Sequence, residues 1–332
     1  ILPYGKGFLG NMTENLHADC VQSRQAGFVR YCPSFNCYNR WYTERRIPMK
    51  NLYQSYSDFM IRQPFFSFDV KHYQEAVQKT PFAARYYQFS THKIIDRTNE
   101  NLFMCCIPDG CVDIVFIRHN QQNKMELIGS PFCRKSLIVY PHADYFGVRL
   151  KPGMFFPNHE VCLKEITNTE TFVPQIPADT ALLLEQIFET DTLWERARLF
   201  QEYLLRFSPK QYIVEETVQQ VLYLTSHANG DVEVGDIAKE ICYSERHLTR
   251  MFSDAMGYSP KMYARIARFQ YALNRMMEHS ADSVSSFIDL LNYADQAHFQ
   301  REFKEFTGIT PKHFTRYYRN VVCPAEKEAD LP

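Results

Sequence analysis

Two stretches about fifty residues apart carry the side chains with the most specific chemistry in this chain. In the first, 245–255, Leu248, Met251 and Phe252 form an apolar stripe at helical spacing, which leaves Arg246, Thr249, Arg250 and Ser253 on the opposite face. In the second, 295–306, the stripe is Phe299, Phe303 and Phe306, and Gln296, Ala297, Gln300 and Arg301 face outward. Arginine pairs bidentately with guanine and glutamine with adenine, while threonine offers a hydroxyl and a methyl to thymine; each good bidentate pair discriminates by about 1–3 kcal/mol. Both outward sets therefore suit base reading in a major groove. Basic residues accompany them: Arg246, Arg250, Lys261, Arg265, Arg268 and Arg275 oppose only Asp254 and Glu278. Further on, Arg301, Lys304, Lys312, Arg316 and Arg319 oppose Glu302 and Glu305. One-sided charge of this kind neutralises phosphates, and Ser244, Lys261, His298, Lys304 and Lys312 are the candidates for phosphate contact.

Catalysis has no comparable anchor. A metal-dependent β-barrel enzyme joined to a DNA-binding tail would need ligands from His92, His119, His142, His159, Cys105, Cys106, Cys111 or Cys133, and none has His-x-His or Cys-x-x-Cys spacing. A reactive-cysteine sensor joined to such a tail is the other alternative, and the zinc-holding cysteine cluster it needs is missing. There is no Gly-rich phosphate loop and no Gly-x-Ser-x-Gly elbow. The expectation is a protein without enzymatic activity, cofactor or metal.

The elements that must position the two outward sets are themselves repeated. Val234, Ile241 and Tyr243 align with Val284, Leu291 and Tyr293 at an offset of 50, and Arg250, Phe252, Gly257 and Pro260 align with Arg301, Phe303, Gly308 and Pro311 at 51. One extra residue near the start of the later helix of the second copy accounts for the change. Each copy reads as a short helix, a tight turn, a second helix opened by a cap residue (Ser244; Asp295), and a glycine stop followed by a Ser-Pro or Thr-Pro helix start. That is helix-turn-helix grammar. Between the copies, Lys261 to Met277 forms a long helix that holds two readers about one DNA turn apart.

Upstream, Leu102 to Ile107, Val112 to Ile117, Leu137 to Tyr140 and Phe146 to Leu150 read as short strands separated by turn residues at Pro108-Asp109-Gly110 and Lys151-Pro152-Gly153. After Pro177 the period becomes helical, over Ala181 to Phe188 and Leu193 to Phe207. The expected organisation is an extension at 1–48, a β-rich sensor at 49–178, a helical connector at 179–208, two helix-turn-helix units within 209–320, and a tail at 321–332. The extension is aperiodic and is expected to be non-native or disordered. Codons for Glu44-Arg45-Arg46 can spell a ribosome-binding AGGAGG, which places the expected start at Met49, the alternative being a genuine N-terminal extension. In the connector, Leu182, Leu183, Ile187, Trp194, Leu199 and Tyr203 serve either a homodimer contact or docking on their own β-domain. The fold class expected is α+β, a β-rich cupin-like or related domain followed by an all-α one. With 332 residues, 45% hydrophobic and 23% charged, the chain has material for two cores. The net charge of -1 excludes wholesale basicity but not local patches. Ten cysteines without framework spacing read as reduced thiols, and no apolar run approaches 18 residues, so a cytoplasmic, non-membrane protein is expected.

Ile237-Ala238, Tyr243 to Leu248, Arg250 to Phe252, Gly257 to Pro260, and above all Tyr293 to Phe299 with Phe303-Lys304 and Phe306 to Pro311, resemble the AraC/XylS family of bacterial transcription regulators. The resemblance covers about Val214 to Tyr318. It implies double-stranded DNA as partner, two helices in adjacent major grooves, and activation through RNA polymerase. Where that family has glycine in the turn of each unit, this chain has Cys242 and Asn292; asparagine tolerates the left-handed conformation, whereas cysteine loses roughly 1 kcal/mol or more there, so the first turn is expected to be either strained or differently shaped. Ile107 to Phe116 with Gly147 to Gly153 resembles the β-rich domain of one subset of these regulators, which implies a small-molecule effector or a dimer. Asp109, Asp113, Tyr140, His142 and Arg149 are its polar candidates for effector contact.

Overall fold

The computed structural model describes residues 61–65, 73–77, 80, 82–91, 102–157, 162–169, 178–207, 211–278 and 293–322. The extension at 1–48, the expected start at Met49, the first helix of the second unit with Asn292, and the tail beyond 322 lie outside these residues.

Among the described residues seven antiparallel strands lead: β1 (Gln74–Ala76), β2 (Ala83–Ser90), β3 (Leu102–Cys106), β4 (Val112–His119), β5 (Gln122–Gly129), β6 (Lys135–Val139) and β7 (Ala143–Leu150). Five form one sheet in the order β1-β2-β7-β4-β5, and β3 pairs with β6 in a second. The large sheet is a middle layer, which explains why β4 and β7 are apolar on both faces. Ile114, Phe116, Phe146, Val148 and Leu150 face the helices on one side, while Val115, Ile117 and Tyr145 face β3 and β6 on the other. Four strands follow the sequence reading with ends moved by a few residues. β5 departs from it, because Gln122, Asn123, Lys124 and Glu126 interrupt the pattern and Met125 and Leu127 are its main apolar anchors.

The helices are α1 (Leu163–Ile166), α2 (Ala178–Glu189), α3 (Leu193–Leu204), α4 (Glu216–His227), α5 (Val234–Glu240), α6 (Glu245–Met256), α7 (Pro260–Glu278), α8 (Gln296–Thr307) and α9 (Pro311–Val322). In the connector, α2 and α3 dock on the chain's own sheet: Leu183, Ile187 and Tyr203 are buried, with Phe200 edge-on to Phe82 and Phe116. Leu182 and Trp194 remain more than half exposed.

The cores do not separate strands from helices. One runs from the large sheet through α2, α3 and α4 into Leu248, Phe252 and Met256 of the first unit. A second joins Phe65, Cys105 and Ile107 to Phe299, Phe303, Phe306 and Phe314 of the second unit. Each helix-turn-helix unit thus shares apolar surface with the N-terminal half.

Candidate nucleic-acid interface

Helix α6 begins where the Ser244 hydroxyl accepts from the His247 amide at 3.3 Å, and it stops at Gly257, whose φ of 79° closes the last turn. Helix α8 begins where Asp295 accepts from the His298 amide at 2.6 Å and stops at Gly308, φ 76°. The caps locate the extra residue of the second copy: Ser244 follows Tyr243 directly, while Ala294 intervenes between Tyr293 and Asp295.

Leu248, Phe252 and Met256 are buried beneath α6; Met251 is only half buried. Arg246 and Arg250 are exposed, about 6 Å apart along the axis, and Thr249 and Ser253 are half buried beside them. On α8, Gln296, Ala297, Gln300 and Arg301 are all exposed. Of the phosphate candidates, Ser244, Lys261, Lys304 and Lys312 are exposed, and His298 is half buried with its ring edge-on to Tyr293. The Tyr243 ring stacks on His247 at 5.4 Å, and Arg250 Nη2 donates to His247 Nδ1 at 3.3 Å.

The basic patch is smaller than the sequence count. Arg265 donates to Glu302 and Glu305 at 2.8 Å each, Arg268 lies 3.5 Å from Glu302, and Arg275 lies 3.8 Å from Glu278. These arginines are engaged, two of them in tying α7 to α8. Burial works against the Arg265 charge, but its hydrogen bonds to Glu302 and Glu305 outweigh that and hold its pKa above the ordinary value. Burial, and then the Glu302 carboxylate, push the Tyr293 phenol up; its hydroxyl donates to Glu302 at 2.9 Å. The signal for Glu302 is in the spacing. Residues 299, 302, 303 and 306 are a complete i, i+3, i+4, i+7 stripe, so the carboxylate falls on the buried face and requires cations there. The basic side chains left without an ion pair among the described residues include Arg246, Arg250, Lys261, Arg301, Lys304, Lys312 and Arg316.

The turn before α6 is a Schellman closure. Tyr243 N donates to Ala238 O at 2.8 Å and Cys242 N to Lys239 O at 3.2 Å, with Cys242 at φ 59° in the position glycine favours. Of the strained and the differently shaped turn that the sequence left open, the backbone takes the strained one.

The five effector candidates do not form one site. Arg149 makes a bidentate pair with Asp113 at 2.7 and 2.8 Å, and Asp109 lies 3.3 Å from its Nε. Tyr87 donates to Asp113, and Gln63 and the Cys111 amide donate to Asp109. All three charged residues are buried, at 1–5% exposure, so this is an internal cluster. Burial pushes the Asp109 carboxyl up against the pull of Arg149. Tyr140 and His142 stand at the opposite end of β7: the Tyr140 hydroxyl donates to Glu126 at 3.2 Å, and His142 is exposed in the turn at φ 54°. Among the described residues, no group of three His, Cys, Asp or Glu is placed to hold a metal, and no helix is long and apolar enough to cross a membrane.

The helix-turn-helix of α5 and α6, with a 19-residue helix and a second capped helix α8 after it, both capped helices carrying outward basic or amide side chains, defines a helix-turn-helix DNA-binding domain. Residues 237–317 match a family model described as a helix-turn-helix domain, and residues 79–172 match one described as a domain of unknown function (DUF6597). The C-terminal part of this chain is an AraC-type helix-turn-helix domain. An uncharacterised HTH-type transcriptional regulator of Bacillus subtilis is 24% identical over 175 residues, 50% of this chain and 22% of that protein. The lactose operon transcription activator of Staphylococcus xylosus is 24% identical over 113 residues, 34% of this chain and 40% of that protein. The chain spans 16 to 40% of the length of the curated relatives it matches. The solved structure of ToxT from Vibrio cholerae aligns with a TM-score of 0.40 at 11% identity, over 74% of this chain and 98% of ToxT.

Proposed function

We propose that this chain is a transcription regulator that binds a specific DNA site by inserting α6 and α8 into adjacent major grooves. Arg246, Thr249 and Arg250 read bases from the first helix, and Gln296, Gln300 and Arg301 from the second, with Ala297 placed to touch a thymine methyl. Ser244, Lys261, His298, Lys304 and Lys312 contact phosphates. The observation that carries this reading is the pairing of two independently capped helices, each presenting exposed donors with no internal ion pair. RNA polymerase is the downstream partner in this reading. A small effector acts on the β-rich domain, where of the five candidates Tyr140 and His142 keep surface for it. Exposed Leu182 and Trp194 support self-association through α2 and α3.

Selection of duplexes from a random pool by the full chain, followed by binding at several salt concentrations, tests the proposal. The expected result is an enriched site with two short elements about one helical turn apart and a steep loss of affinity with salt. Binding that is salt-dependent but shows no enriched sequence would overturn specific reading.

A further inference from the structure

Among the described residues, the back of the DNA-binding domain, away from the exposed readers, is held by the β-rich domain at three separate points. At the first reader, α1 lies across the C-terminal end of α6. Thr167 Oγ1 shares its proton between Leu163 O at 2.8 Å and Met256 O at 2.9 Å, and Lys164 pairs with Asp254 at 3.3 Å. The approach is close enough that a Cβ on Gly257 would lie 2.8 Å from Lys164 Cα and 2.9 Å from Thr167 Cβ. The gap left beside these groups, between Ser130, Thr167, Met256 and Tyr258, is about 10 Å³, at the lower limit for a single water.

At the linker helix, Gln270 is fully buried and donates to Pro108 O at 2.8 Å, while its Oε1 accepts from the Arg62 amide at 2.9 Å. Pro108 belongs to the loop that carries Gly110, where a Cβ would meet the Tyr263 ring of α7 at 2.9 Å. At the second reader, Phe65 packs edge-on to Phe314 at 5.9 Å and shares with Ile107 the core beneath Phe299, Phe303 and Phe306. Rotation of either reader about α7 must therefore break contacts to the same third body. A polar bond to a buried glutamine and a backbone approach at glycine are directional, unlike apolar burial, and they define one arrangement.

Resting on the proposed DNA reading, we infer that the β-rich domain sets the spacing between the two DNA elements this protein accepts, with Lys164 and Thr167 positioning the first reader and Gln270 positioning the linker helix. None of these three residues is among the DNA-contact residues. One inserted base pair moves the second element by about 3.4 Å and turns it by about 34°, so a braced pair of readers discriminates against it and an unbraced pair follows it.

The test uses duplexes recovered from a random pool by the unmodified full chain, remade with one or two base pairs added or removed between the elements. For the unmodified chain the expected penalty is about tenfold or more per altered base pair, the size of losing one good base contact. In full-length Lys164→Ala/Thr167→Val, whose changes lie at exposed and half-buried positions, and separately in Gln270→Ala, the penalty should fall to about threefold or less. Reselection with each variant should recover the same base preferences within each element. Melting by circular dichroism confirms that each variant is folded, and the surface pair serves if Gln270→Ala is not. An unchanged penalty in the folded variants, or no penalty in the unmodified chain, overturns the inference while leaving base reading intact. Failure of the unmodified chain to enrich any site would remove the DNA reading and this inference with it.

Discussion

The two helix-turn-helix units reach the same outline by different means. In the first, the recognition helix rests on Leu248, Phe252 and Met256, and its far end is clamped by backbone approach at Gly257 and by Thr167. In the second, the position matching Met251 is Glu302, buried and shared among Arg265, Arg268 and Tyr293. The first unit is thus anchored to the β-rich domain by close packing, and the second is anchored to α7 by charge and to the β-rich domain by aromatic burial. A repeat in sequence guarantees the caps, stripes and stops. It leaves each copy free to settle how its recognition helix is held from behind.

The equivalent phenylalanines test the shared part of this comparison with the largest effect. Phe252 and Phe303 are both fully buried. Replacing either with alanine should cost about 3–5 kcal/mol in denaturant unfolding. A loss confined to one of them would show that the two units do not have comparable cores. Glu302→Ala sharpens the difference. It strands Arg268, leaves Arg265 with Glu305 alone and removes the acceptor of Tyr293, so a loss of roughly 2–3 kcal/mol is expected, below the full cost of breaking a buried pair because Arg265 keeps one partner and both arginines keep part of their surface in water. Met251→Ala at the matching position has no such partners, and its melting shift should be the smaller of the two. Equal shifts would mean that the charge cluster does not hold α8.

Arg250→Ala probes the exposed face. It should weaken binding to the selected site by about 1–3 kcal/mol and flatten the preference at one base, with unfolding stability changed by less than about 0.5 kcal/mol. Binding that weakens equally on every sequence would assign Arg250 to phosphate.

How far these features were legible follows from the physics that sets them. Periodicity and caps are local, so α6, α8, Ser244, Asp295 and both glycine stops were readable from neighbouring residues. At Cys242 the sequence left a strained or a differently shaped turn open, and the backbone takes the left-handed one. Pairing across the fold was not: Arg265 and Arg268 look like surface cations in sequence, and only the position of Glu302 on the apolar stripe hints that they are engaged. Asp109, Asp113 and Arg149 carry no local sign of mutual burial. Their register, Asp113 opposite Arg149 on adjacent strands, exists once β4 and β7 pair. The contacts of Gln270 and Thr167 with the other half of the chain depend on the docking of whole layers, which no window of sequence contains.

Cys242 gives the smallest and most local test of the comparison. At φ 59° its Cβ crowds the following carbonyl, a conformation that costs a non-glycine residue roughly 1–2 kcal/mol. Cys242→Gly removes that strain but enlarges the entropy of the unfolded chain by about 0.5–1 kcal/mol, so the net expectation is a gain of about 0.5–1 kcal/mol in denaturant unfolding. The turn leads directly into Tyr243, whose ring stacks on His247, which in turn accepts from Arg250. If that chain of contacts depends only on the Schellman closure, glycine will keep it, and the variant will bind its site as the parent does. A stabler protein with weaker specific binding would show that the cysteine side chain itself helps to aim the first reader. The second unit, which lacks a matching His–Arg bond among the described residues and has His298 edge-on to Tyr293 in its place, would then aim its reader by a different contact.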